Sequence, residues 1–194
     1  MKSIMNLLSR ILIAGVFVMS MTSCEKENSE ENTADIVGTW QLTKDALYFD
    51  GEQVDVDDIE DDYVFQYKFK DDGTVIEYED GNIDGKAEYV YSRESNTLTF
   101  LGDGEQMEYR VDRLTSSELI LSEDLSILGN ILDYDRIGDV VDTYLGVKIY
   151  RYSGSCISYC YKKNGKYYPC EPFEMGVGDN KYYDKETFYF KRAK

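Results

Sequence analysis

The chain has 194 residues, with 38 Asp and Glu against 21 Lys and Arg, a net charge of −17 and no histidine. So acidic a chain is repelled by the phosphate backbone, which excludes nucleic acid as a partner. The lack of histidine removes the commonest general base and the commonest metal ligand. The length suits one domain with a sizeable core.

At the N-terminus Lys2 and Arg10 bracket a stretch without acid, and Ile11 to Met19 is apolar except for Gly15. That run falls short of the roughly 20 residues of a spanning helix and reads as a secretory signal. Met21, Thr22, Ser23 and Cys24 end it and resemble the lipobox of bacterial lipoproteins. The resemblance implies a signal peptide over 1–23, lipidation of Cys24, and attachment to the outer membrane through that acyl anchor. Residues 24–35 hold Glu25, Glu27, Glu30, Glu31 and Asp35, too much charge and too little apolar surface to fold. They form a tether reaching about 38 Å when extended. Acid directly after the cysteine also resembles the export signal of some surface lipoproteins, which implies a position on the cell surface. Loss of the leader, with its two bases, takes the charge from −17 to −19.

From Val37 on, short alternating segments separated by turn residues predict successive antiparallel strands. In "YVFQYKFK" Tyr63, Phe65, Tyr67 and Phe69 share one face, and Asp72 and Gly73 follow as a hairpin turn. Thr74–Glu79 places Ile76 and Tyr78 on one face. Tyr89 and Tyr91, Leu98 and Phe100, then Met107, Tyr109 and Val111 continue the device, and Glu118–Ser122 closes the series. After Glu123 the apolar residues Leu125, Leu128, Ile131, Leu132, Ile137, Val140, Val141, Tyr144 and Leu145 recur at three and four, which predicts one or two short helices. Val147–Tyr152 is extended again, and "ETFYFKRAK" returns to alternation, with Phe188, Phe190 and Arg192 on one face.

Gly38, Thr39 and Trp40 in "IVGTWQLT", together with the meander that follows and "VDRLTSSELIL", resemble lipocalin-like (calycin) domains. The resemblance implies an all-β fold over 36–194: an eight-stranded antiparallel up-and-down barrel with a small α or irregular insertion at about 124–185 before the last strand. It also implies that Trp40 closes the barrel base, with Arg192 stacked across it.

The barrel so implied turns Tyr63, Phe65, Tyr67, Phe69, Tyr78, Tyr89, Tyr91, Phe100, Met107 and Tyr109 inward. They form either an aromatic cup for a small apolar or amphipathic molecule or a filled core. In the second case the tyrosine-rich insertion, with Tyr159, Tyr161, Tyr167, Tyr168, Tyr182 and Tyr183, supplies a surface for a protein or glycan. The acidic segment 49–62 reads as a solvated loop over the open end that disfavours anionic ligands, and it lacks the spacing of a calcium loop.

Cys156, Cys160 and Cys170 allow one disulfide and one free thiol. On one strand Cys156 and Cys160 stand about 13 Å apart, too far to bridge. A regular hairpin at Asn164–Gly165 pairs Cys160 with Pro169 and sends Cys170 to the opposite face, whereas a bulged turn permits Cys160–Cys170. No nucleophile elbow, Cys–His pair or phosphate loop is present, so the chain reads as non-enzymatic, without cofactor or metal.

Overall fold

The computed structural model describes residues 35–59, 62–102, 105–125, 132–154, 157–174 and 180–193. Cys24 and Cys156, the expected anchor and one expected disulfide partner, lie outside them.

Eight strands close a barrel. β1 (Gly38–Phe49), β3 (Phe65–Phe69), β4 (Thr74–Glu79), β5 (Asn82–Ser92), β6 (Thr97–Gly102), β7 (Glu105–Leu114), β8 (Glu118–Asp124) and β14 (Lys185–Arg192) are antiparallel neighbours in chain order. The ring is completed by β14 against β1, from Trp40 opposite Arg192 to Tyr48 opposite Lys185. Closure satisfies the backbone groups that an open meander would leave along two bare edges.

β1 is longer than a barrel wall needs. Its first residues pair with β3, and beyond a bulge between Leu42 and Lys44 the rest pairs with β2 (Glu52–Asp58) across the Asp50–Gly51 turn. The acidic segment expected as a loop is therefore largely a strand. Its four carboxylates, Glu52, Asp55, Asp57 and Asp58, ride on a hairpin beside the open end.

Among the described residues, the segment between Asp124 and Lys185 is a second sheet and not a helical insertion; Leu128 and Ile131 of the expected helices lie outside them. β9 (Ile137–Tyr144), β10 (Val147–Tyr152), β11 (Tyr159–Lys163), β12 (Lys166–Glu174) and β13 (Asn180–Tyr183) pair in sequence, and the helical geometry described in this region is 3-10, at Leu125 and at Tyr134–Arg136. β9 is an edge strand whose adjacent Val140 and Val141 are both exposed. Apolar residues on both faces of one edge strand mimic the three-and-four spacing of a helix. The turn into β10 is Leu145–Gly146, both left-handed at φ 47° and 79°, and leucine is not a residue that announces such a turn.

One face of this sheet packs Ile149, Tyr161, Cys170 and Tyr182 against Phe49 at the end of β1. The other buries Tyr152 and Cys160 with Leu132 and Ile157. Most of the tyrosines expected on a binding surface are thus committed to packing: Tyr161 and Tyr182 are buried, and Tyr159, Tyr167, Tyr168 and Tyr183 are half-buried. Asp184 joins the two sheets, accepting from the Tyr161 hydroxyl at 2.5 Å and from the Asp50 backbone N–H at 3.1 Å.

Asn164–Gly165 makes a regular two-residue turn, and Cys160 stands opposite Pro169. Cys160 and Cys170 therefore occupy opposite faces, and both are buried free thiols. The bulge that would have allowed a Cys160–Cys170 disulfide is not formed, so the expectation of that bridge is corrected. Burial pushes both thiols upward, Cys160 to about 11.

Candidate binding site at the open end of the barrel

The base of the barrel is sealed. Trp40 is fully buried and donates its indole N–H to the Ile36 carbonyl at 2.7 Å, and the Arg192 guanidinium lies 4.3 Å from its ring centre. Arg192 also donates to the carbonyls of Val37, Asp35 and Ser116. A Cβ on Gly38 would stand 2.0 Å from the guanidinium, so glycine two residues before the tryptophan is what lets the arginine pass. Both residues are structural parts of the floor.

Above the floor the interior is filled. Phe65, Tyr67, Phe69, Leu98, Phe100, Tyr109, Phe188 and Phe190 are all buried. Tyr67 alone meets the rings of Phe65, Phe69, Phe100 and Phe190 at centroid distances of 5.1–5.9 Å. Tyr63, Tyr89, Tyr91 and Met107 pack on this cluster partly buried. Of the residues expected in a cup, Tyr78 is misplaced: it pairs with Gln66 and Ile83 and faces outward.

The cause is one residue of turn length. Phe69 pairs with Val75, and the Lys70 N–H donates to the Thr74 carbonyl, so the β3–β4 connection has three residues, Asp71, Asp72 and Gly73, instead of two. A slip of one flips every side chain of the strand. Ile76 and Tyr78 turn outward, and Val75, Glu77 and Glu79 turn inward.

Further inward carboxylates follow from the register. Asp45 pairs with Phe188, and Glu123 with Glu186, on the interior parity of β1, β8 and β14. All sit toward the end where the β1–β2 hairpin, the β4–β5 turn and the second sheet leave the barrel, opposite Trp40. Sequence reasoning missed these acids because alternation with an aromatic neighbour makes the acid the default outward residue. Only the three-residue turn betrays β4.

Glu77 is 6 % exposed, and burial, with Asp84 and Glu79 nearby, pushes its carboxyl up to about 7. Asp45 is pushed up to about 6 by burial and by Asp57 and Asp55, and burial also raises Glu123. Tyr63 rises to about 12, through burial and then Glu79. No cation pairs with Glu77 among the described residues. The Tyr67 hydroxyl, in a residue 2 % exposed, has no protein partner.

Residues 36–121 match the family model described as a lipocalin-like domain. The closed eight-stranded barrel agrees with that match, and the match ends inside β8, short of the second sheet. No curated protein matches the chain. The barrel thus has a solid aromatic lower part and an acidic upper end, where Asp45, Glu79, Glu123 and Glu186 turn inward.

Proposed function

We propose that this chain is an outer-membrane lipoprotein, anchored through Cys24 and facing the cell surface, whose lipocalin-like barrel binds a small amphipathic molecule at its open end. The role is binding, not catalysis. The observation that carries the reading is the polar layer over the packed floor: carboxylates and a partnerless tyrosine hydroxyl turned into the barrel. Buried polar groups cost stability unless they are partnered, and a fold that served only as a spacer would have no use for them. The lipobox resemblance and the acidic tether support the address, since several acyl chains hold a protein to a membrane stably where one does not.

The test is purification of the protein from its own envelope in mild detergent, followed by native mass spectrometry. A discrete mass beyond the acyl anchor, lost on denaturation, is the expected result. In parallel, Cys24→Ser releases the protein from the membrane fraction. Protein that carries no extra mass from any growth condition and binds no amphipath added later refutes the binding role, and membrane retention of the Cys24→Ser variant refutes the anchor.

A second reading, a protein or glycan partner at the second sheet, narrows to one spot. Tyr134 is 53 % exposed and meets Tyr167 edge-on at 5.3 Å, which in turn meets Tyr150 at 5.3 Å. Loss of a pulled-down partner on Tyr134→Ala, with folding intact, would favour it.

A further inference from the structure

Glu77 and Tyr67 line one small hollow together with Val75, Gly85, Lys86, Ala87 and Phe100. It measures about 10 Å³, on a scale where a single water needs roughly 10–15 Å³. The space around it, counted out to open solvent, is about 190 Å³. The lining is mostly apolar, and its polar residues are Glu77, Lys86 and Tyr67, whose hydroxyl has no protein partner.

Acids dominate around Glu77, with Lys86 the cation among the lining residues. Glu79 on β4 and Asp84 at the β4–β5 bulge act directly on Glu77, and Asp45, Glu123 and Glu186 share the interior parity of their strands. Lys86 pairs with Ile76 on the outer parity of β5. An occupant must therefore be the size of a water, donate hydrogen bonds, and carry positive charge if it is to compensate Glu77. A primary ammonium satisfies all three, with three donors on a compact head. A carboxylate is repelled, and a trimethylammonium is too large and has no donor. Ile59, Tyr63 and Met107, partly exposed apolar residues packed on the same cluster, offer contact for a hydrocarbon portion.

We infer that this hollow seats the ammonium head of a primary aliphatic amine, Glu77 pairing with the charge and the Tyr67 hydroxyl accepting one of its hydrogens. The inference rests on the barrel binding a small amphipathic molecule and names its chemical class.

The experiment is calorimetric titration of the full chain at about pH 8 with four probes of one chain length: octylammonium, octanol, octanoate and octyltrimethylammonium. Octylammonium is expected to bind about tenfold or more tightly than octanol, the step that a charge-assisted hydrogen bond provides. Octanoate does not bind, and octyltrimethylammonium falls to the level of octanol. Glu77→Gln abolishes the preference for ammonium over alcohol, and Tyr67→Phe weakens octylammonium alone. The preference also fades as the pH falls from about 8 to 6 and Glu77 takes up its proton. Circular dichroism confirms that each variant is folded.

Alcohol or carboxylate binding as well as the ammonium, or a Glu77→Gln variant that keeps the preference, overturns the ammonium seat and leaves the binding role standing. Failure of all four probes overturns both.

Discussion

Replacing Glu77 by glutamine keeps the shape of the side chain and removes a buried charge. Glu77 ionises at about 7 in the folded protein against an ordinary 4.5. At about 1.36 kcal/mol per unit, this makes its ionised form cost up to about 3 kcal/mol of folding free energy. The sign follows from proton occupancy. The folded state holds the proton more tightly than the unfolded one, so this contribution is most favourable below about 4.5, declines as the pH rises through 7, and is flat above. Glu77→Gln is therefore expected to raise the melting temperature at about pH 8 by up to roughly 6–12 °C, at the 2–4 °C per kcal/mol of a chain this size. The advantage shrinks to nothing near pH 4. Thermal unfolding followed by circular dichroism at several pH values, for both proteins, gives the difference curve. Asp45 and Glu123 contribute the same slope to both and cancel. A variant that is less stable than the parent by the same amount at every pH would refute the placement of Glu77 as an uncompensated inward carboxylate.

Further tests bear on the scaffold. Gly38→Ala drives a methyl into the Arg192 guanidinium and should cost about 2 kcal/mol or more, whereas Arg192→Ala in the same background should add little, because the clash and the stacking share one partner. Denaturant titration of the single and double variants measures this. Leu145→Asn relieves a left-handed leucine that is 55 % exposed, for a gain of about 1 kcal/mol readable as a raised denaturation midpoint. Cys160 and Cys170 should resist a thiol reagent in the folded protein and react on unfolding. Prompt labelling of either, or a mass short of two hydrogens from a bond between them, would contradict their burial on opposite faces.

The barrel was legible because its signals are local. Alternation in "YVFQYKFK" and a glycine two residues before Trp40 do not depend on distant contacts, and Arg192 reached the position its parity in the last strand implied. Two features escaped for definable reasons. The Asp72–Gly73 signal identifies a turn but not whether it spans two residues or three, and that single residue decides whether tyrosine or glutamate enters the barrel. The second sheet was hidden by its edge strand: β9 exposes valine on both faces and ends on a leucine in a conformation that asparagine or glycine usually takes. At Asn164–Gly165 the sequence left a regular and a bulged turn open, and the regular one is formed, with Cys160 opposite Pro169.

The strand that closes the barrel is the last of its eight in the chain. β1 and β14 meet across nearly the whole described chain, Trp40 with Arg192, so the ring cannot shut until β14 has been made. The hairpins from β3 to β8 join near neighbours and can form early, but loop closure over that span is slow. Until it happens, β1 and β8 each present an unpaired edge able to template aggregation. A chain cut just before Arg192 would keep nearly every hairpin and still lose the arginine beneath the tryptophan, leaving a curled sheet instead of a vessel.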